Sequence, residues 1–182
     1  AEATRAQAAY DHARALEVTE QFFWTFCDDY LELVKERAYD QDDADQASAA
    51  LALRQALSAL LRLLAPVLVF AAEESWSWFN EGSVHTAAWP TPSGCAGDPA
   101  VLAAASEALT GIRGAKTNAK ASQKTAVSLA VLSADEPTAA LLRQASGDLR
   151  SVGRIAELRI VTAPEGAVGM TVESIELAPT EA

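Results

Sequence analysis

Residues 22–39 read FFWTFCDDYLELVKERAY, and residues 60–78 read LLRLLAPVLVFAAEESWSW. Around the first stretch, from about Thr4 to Tyr39, neither Pro nor Gly occurs, while Leu16, Phe23, Phe26, Tyr30 and Leu33 recur at the spacing of one helix face. That pattern predicts a single long amphipathic helix. Trp24 and Leu31 fall on a flank of the stripe, so its apolar arc is wider than one neighbouring helix would cover. The cluster Phe22, Phe23, Trp24, Phe26 and Tyr30 is expected to pack into a core rather than stack on bases. Around the second stretch, Leu53, Leu57, Leu60, Leu64 and Leu68 keep helical spacing, and Leu61, Leu63 and Val67 fill in beside them. This predicts a helix apolar on most sides and central to a bundle, resuming through Trp78 and Phe79 after an interruption. Pro66 lacks an N–H and crowds the preceding turn, so it should kink or divide that helix near Ala65. Between the two, DQDDAD at 40–45 reads as a solvated loop with Asp45 placed to cap the second helix. Because Ala1 falls inside a helical pattern with no capping signal, a preceding helix is expected to have been cut away.

Beyond the helices the signals change. Residues 81–99 carry Gly, Pro and Ser without helical period, and EGSVHTAAWP at 81–90 reads as an extended hook anchored by Trp89. Asp98 followed by Pro99 is an N-cap and first-turn pair, opening a helix through Leu102, Leu109 and Ile112 to about Lys120. TAVSLAVLS at 125–133 predicts a strand with Val127, Leu129 and Val131 on one face. Asp135, Glu136 and Pro137 begin another helix carrying Leu141, Leu142 and Leu149 and ending near Gly153. LRIVTA at 158–163 and VGMTVESIEL at 168–177 are strand-like, and PEGA between them suits a hairpin. The expected architecture is mainly α with a small α+β module. A helical bundle at 1–97, including the hook at 81–97, precedes a module at 98–182 with a three-stranded sheet and two helices on one side.

Composition and motifs exclude more than they assign. With 182 residues, half of them apolar, the chain can bury roughly 70% of its unfolded surface. Cys27 and Cys95 fit neither a zinc-ligand spacing nor a disulfide framework, which favours a cytoplasmic protein. No run approaches the ~20 uninterrupted apolar residues of a membrane span, and the amino end lacks the order of a signal peptide, so no membrane partner is expected. His12 and His85 have no partner at ligand spacing, and no phosphate-cradling or nucleophile-elbow motif occurs. Asp28 and Asp29 diverge by a helical step of about 100° and cannot share one site. No catalytic, cofactor-binding or metal-binding residue is therefore assigned.

The net charge of −11 opposes nucleic-acid binding in bulk, but it is unevenly spread. Residues 1–97 hold six cations against fifteen acids, whereas 98–182 hold eight against ten. Within 111–124, Arg113, Lys116, Lys120 and Lys124 occur with no acid, at spacings of 3, 4 and 4. Such a strip lies along one helix face and just past its end, a geometry able to follow a phosphate backbone. A solvated outer face has the same composition.

The words of the sequence add a resemblance. The stretches at 22–39 and 60–78, followed by EGSVHTAAWP, resemble in order and spacing the anticodon-binding bundle of the valine, isoleucine and leucine group of class I aminoacyl-tRNA synthetases. Phe26–Tyr30 (FCDDY) and Gly82–His85 (GSVH) are most similar to valyl-tRNA synthetases, and GIRGAKTNAKASQKTAVSLAV at 111–131 to actinobacterial-looking versions. KASQK at 120–124 resembles the lysine-serine loop that such enzymes use on ATP, but it precedes a strand of a small module and is rejected for that role. The resemblance implies a region that binds the tRNA anticodon stem-loop within a valine–tRNA ligase. ATP and magnesium would be handled upstream by a catalytic domain of the same polypeptide, as would editing, and the family's terminal coiled-coil arm is expected to be absent after Ala182. DNA is not an expected partner. Lys35, Arg37, Arg113, Lys116, Lys120 and Lys124 are the candidate tRNA contacts. The competing readings are a structural docking domain with little RNA contact and a freestanding adaptor for a protein partner.

Overall fold

The structure, a computed structural model, describes residues 1–40, 45–92, 94, 97–164 and 169–179. Most of the 40–45 loop, Cys95 and most of PEGA lie outside the described residues. The backbone divides into two compact units, one of Ala1–Leu31 and Arg37–Ala96, the other of Glu32–Glu36 and Gly97–Ala182.

In the first unit the expected long helix is broken. Helix α1 (Glu2–Ala8) stops where Tyr10 takes a φ of 61°, and α2 (His12–Thr25) starts on Asp11, whose carboxylate accepts the Arg14 N–H at 3.0 Å. The N–H groups of Tyr10 and Asp11 turn back onto the carbonyls of Gln7 and Ala6, satisfying the end of α1 without glycine. Arg14 spans the break through its ion pair to Glu2 and also pairs with Glu17 on α2. A π-helical turn (Phe26–Tyr30) then separates α2 from α3 (Leu31–Tyr39) and stacks Phe26 on Tyr30 at 5.9 Å between centroids. Only Phe26 of the aromatic cluster is buried, and Phe22 and Trp24 are exposed, against the expected core packing.

Helix α4 (Gln46–Leu64) begins at Asp45, whose side chain makes no capping bond. It ends at Ala65, and α5 (Val69–Ser77) comes next, so Pro66 divides the helix rather than bending it. The N–H groups of Val67 and Leu68 both return to the Leu64 carbonyl, at 2.9 and 2.7 Å. The predicted central position of α4 is corrected: Ala49 and Leu60 are its buried residues, and Leu51 and Leu57 are exposed. Helix α4, 19 residues long and with an 18-residue window of mean hydropathy 1.3, is also long and apolar enough by composition to cross a membrane, a property that uninterrupted apolar runs do not reveal. Arg54 lies on its exposed side, and Arg62 donates to the Ser58 and Ala88 carbonyls within the unit. The core gathers Ala65, Ala72, Trp76 and Val84, with Leu61 and Ala87 against them. Val84, in a short 3-10 turn (Val84–Thr86), is the anchor of the hook, because the Glu73 carboxylate accepts its N–H at 3.0 Å and the Ser83 hydroxyl at 2.8 Å. Trp89 is half-buried and donates its indole N–H to Thr4 at 3.1 Å.

The second unit carries α6 (Pro99–Asn118), capped by Asp98 through the Ala100 N–H at 2.9 Å, then β1 (Val127–Ala134), α7 (Glu136–Gln144), α8 (Ser146–Gly153), β2 (Ile155–Thr162) and β3 (Met170–Leu177). The single helix expected at 135–153 is two, divided at Ala145. The strand order is β2-β1-β3, with β2 parallel and β3 antiparallel to β1. The predicted hairpin of the last two strands does not form; they flank β1 on opposite edges. Parallel pairing of β1 with β2 requires a crossover, which α7 and α8 supply. Register shifts against β3 change the phase of β1, so that Val127, Ala130, Leu132 and Ala134 are buried instead of Val127, Leu129 and Val131. Gly111 permits the approach of α6 to β3: a Cβ there would lie 2.9 Å from a methyl of Val172.

Asp135 joins α7 to the sheet. Its two carboxylate oxygens accept the Thr138 N–H at 2.8 Å and the Gly169 N–H at 3.1 Å. These bonds, Thr138 first, hold its pKa below the usual value, and the Thr162 hydroxyl, then Arg143, do the same for Glu136. A carboxyl whose folded pKa is depressed stabilises the fold above its unfolded pKa, and that contribution is lost as the pH falls through the folded value. The urea midpoint of the second unit, followed by amide exchange in β1, is expected to fall as the pH drops from about 5 to about 3. In Asp135→Ala the midpoint should be lower at neutral pH and should depend less on pH; an equal acid loss in the variant would remove Asp135 from this role.

Candidate nucleic-acid interface

The second unit encloses a cleft of about 290 Å³, and its lining draws together Lys35, Arg113, Lys116, Lys124 and Arg154, with Glu32 and Glu36 as the acids. Four of the six cations singled out by sequence thus line one space. Lys120 and Arg37 do not line it, and Arg154 was not foreseen.

These cations differ in what they can do. Lys35 is half-buried and paired with Glu32 at 2.7 Å, so part of its charge is already neutralised. Arg113 is half-buried on α6, and Lys124 is exposed on the loop before β1. Lys120 is exposed at the end of α6 with a φ of 54°. Arg154 is exposed with a φ of 52° where α8 ends, a position at which glycine is the ordinary choice. Holding a side chain in the left-handed region costs about 1–2 kcal/mol, so the guanidinium there is retained against a backbone penalty.

Lys116 is not available to a phosphate. It is 1% exposed, and its ammonium donates to the carbonyls of Gln123 at 3.1 Å, Thr125 at 2.8 Å and Gly153 at 2.8 Å. All three donors are used, which is what a buried charge requires to avoid a desolvation loss. Burial, and secondarily the Arg154 charge, lowers its pKa. The expected four-cation strip is therefore corrected: its second member points into the protein. Sequence offered the signal, since Ala105, Leu109, Ile112 and Lys116 lie at helical spacing and Lys116 continues the buried stripe of α6.

The loop carrying Lys124 is fixed on several sides. Gln123 donates its side-chain amide to the Arg113 carbonyl and the Thr117 hydroxyl, each at 3.1 Å. Arg154 donates to the Lys124 carbonyl at 3.2 Å, and the Val127 N–H donates to the Arg154 carbonyl at 2.9 Å. Chemically, the cleft offers exposed cations on a braced frame, suited to holding an anion in place. Among the described residues no group of His, Cys, Asp and Glu is arranged to hold a metal ion.

The first unit has a different opening, about 230 Å³, with mainly apolar walls that include Leu16, Leu63, Val67 and Trp89 and with Gln7 and His12 on its edge. His12 and Gln7 lie 3.2 Å apart through Nδ1 and Oε1. Every aromatic side chain of the chain lies at or before residue 89, and 97–182 contains none.

Residues 1–131 match the family model described as the anticodon-binding domain of tRNA ligase. The chain is 61% identical over 171 residues to a valine–tRNA ligase of Leifsonia xyli, covering 92% of this chain and 20% of that protein. It is 48% identical over 185 residues to the valine–tRNA ligase of Thermobifida fusca, covering 99% of this chain and 20% of that one. The valine–tRNA ligase of Cutibacterium acnes is 47% identical over 167 residues, covering 89% and 19%. The chain thus spans about a fifth of the length of these relatives.

Proposed function

The chain belongs to the family of anticodon-binding domains of tRNA ligases, and from that premise we propose that it holds the anticodon stem-loop of a valine tRNA for a ligase of which it is part. The ATP-dependent joining of valine to tRNA belongs, in this reading, to a catalytic domain on the same polypeptide acting in the cytoplasm, with ATP and magnesium bound there. The observation that carries the RNA reading is the cleft of exposed and half-exposed cations on an otherwise acidic chain. Phosphate contacts supply most of the affinity of such complexes and carry no base identity. Because 97–182 lacks aromatic side chains, stacking on unpaired bases falls to the first unit, where Trp24 and Trp89 remain accessible.

Arg113, Lys124 and Arg154, with Lys35, Arg37 and Lys120 as further candidates, are assigned to phosphates. Lys124→Ala and Arg113→Ala should each weaken binding of a valine tRNA transcript and lower the slope of log affinity against log salt by about 1. Filter binding between about 50 and 200 mM salt reads both quantities. The loss should be the same on a transcript with an altered anticodon, because phosphates are common to both. Slopes equal to the parent's in both variants would leave the cleft a solvated surface and favour the docking-domain reading.

A further inference from the structure

We propose that Lys116 is a positioning residue for RNA binding: its buried ammonium ties together the two backbone segments that present Lys124 and Arg154, setting the distance between the cleft's two exposed cations. The three carbonyls it holds belong to Gln123 and Thr125, the immediate neighbours of Lys124, and to Gly153, the immediate neighbour of Arg154. One side chain on α6 thus clamps both sides of one cation and the near side of the other. The bond from Arg154 to the Lys124 carbonyl and the backbone bond from Val127 to Arg154 close the same frame. Gly153 fits this role sterically, since a Cβ there would lie 2.6 Å from the side chain of Ile155, on the far side of Arg154.

A point charge with three donors suits three converging acceptors. A planar guanidinium carries its donors in a fixed fork and cannot reproduce that convergence, so charge alone does not substitute for the ammonium. Two cations at a fixed separation can engage two phosphates at once, whereas cations on a slack loop lose rotational and backbone freedom on binding. Lys116 itself touches no RNA in this arrangement.

The inference rests on the reading of the cleft as a phosphate site, and the experiment separates the two. The 182-residue chain is titrated with a valine tRNA transcript at several salt concentrations, as the parent, Lys124→Ala/Arg154→Gly, Lys116→Met and Lys116→Arg, and as each Lys116 change combined with the double variant. The double variant is expected to lower the salt slope by about 2 and the affinity at least tenfold. Lys116→Met should approach the same loss. Lys116→Arg keeps the charge and keeps donors near the carbonyls, so it provides a folded variant if Lys116→Met does not fold; it too should lose about one unit of slope. In the double-variant background neither Lys116 change should weaken binding further, which is the signature of acting through those two cations. If the double variant binds with the parent's slope, both the phosphate reading and the positioning role are overturned. If the double variant loses slope while Lys116→Arg retains the parent's slope and affinity, the positioning role alone is overturned.

Discussion

Trp76→Ala is expected to destabilise the first unit by about 3–5 kcal/mol, the range for removing a large aromatic from a packed core. Trp76 lies in a buried cluster with Ala65, Ala72 and Val84, against which Leu61 of α4 and Ala87 of the hook pack. The buried neighbours Ala65, Ala72 and Val84 are small and cannot fill the space, so the cavity term adds to the transfer term. Trp76→Phe provides the contrast. The Trp76 indole N–H is buried and finds no hydrogen-bond partner among the described residues. Phenylalanine removes that unpaired donor together with part of the ring, so the loss should stay under about 1.5 kcal/mol. Urea denaturation followed by amide exchange in α4 and α5 measures both; a loss under about 1.5 kcal/mol in Trp76→Ala as well would mean that the indole is not what fills this core.

How far the fold could be read in advance depended on whether the deciding force was local. Pro66 was legible because a missing N–H and a steric clash act within one turn, and Asp98–Pro99 because an N-cap is a three-residue device. The break at Tyr10 was not, since nothing in a tyrosine codes for positive φ; the turn is held by carbonyls of α1 and a cap from Asp11. The hairpin was misread because PEGA has turn chemistry, while pairing is settled by which strand can be buried on both edges. β1 holds only apolar and small residues over Val127–Ala134, whereas β2 carries Glu157 and Arg159 and β3 carries Glu173 and Glu176. Charged strands suit sheet edges, so that contrast was the available signal for β1 in the middle.

The site divides in the same way. Counting cations located the basic strip, and helical spacing placed Arg113 correctly on α6. Which lysine turns inward is written in the buried stripe through Leu109 and Ile112, a pattern that charge content does not carry. Arg154 had no local signal toward a phosphate. It reaches the cleft because the parallel crossover returns the end of α8 to the start of β1, and Val127 pairs with Ile155 there. A contact that depends on strand order cannot be seen by composition.

Reversing Arg113, Lys124 and Arg154 together to glutamate is expected to reduce affinity for a valine tRNA by more than about 100-fold near physiological salt, and to lower the salt slope by about 2–3. Each reversal removes a phosphate contact and sets a like charge beside the RNA, next to Glu32 and Glu36, which already line the cleft. The change leaves Lys116 and its three carbonyls in place and removes from the frame the Arg154 bond to the Lys124 carbonyl; an unaltered urea midpoint is the control that the loss reads binding rather than unfolding. Lys120→Glu, exposed but outside the cleft, should cost far less than the triple reversal. The triple variant should also weaken a non-valine tRNA by the same factor, because it removes charge and not base readout. A loss confined to the valine tRNA would place these residues on bases, and an affinity within threefold of the parent's, about 0.65 kcal/mol, would move the RNA-binding surface off the second unit altogether.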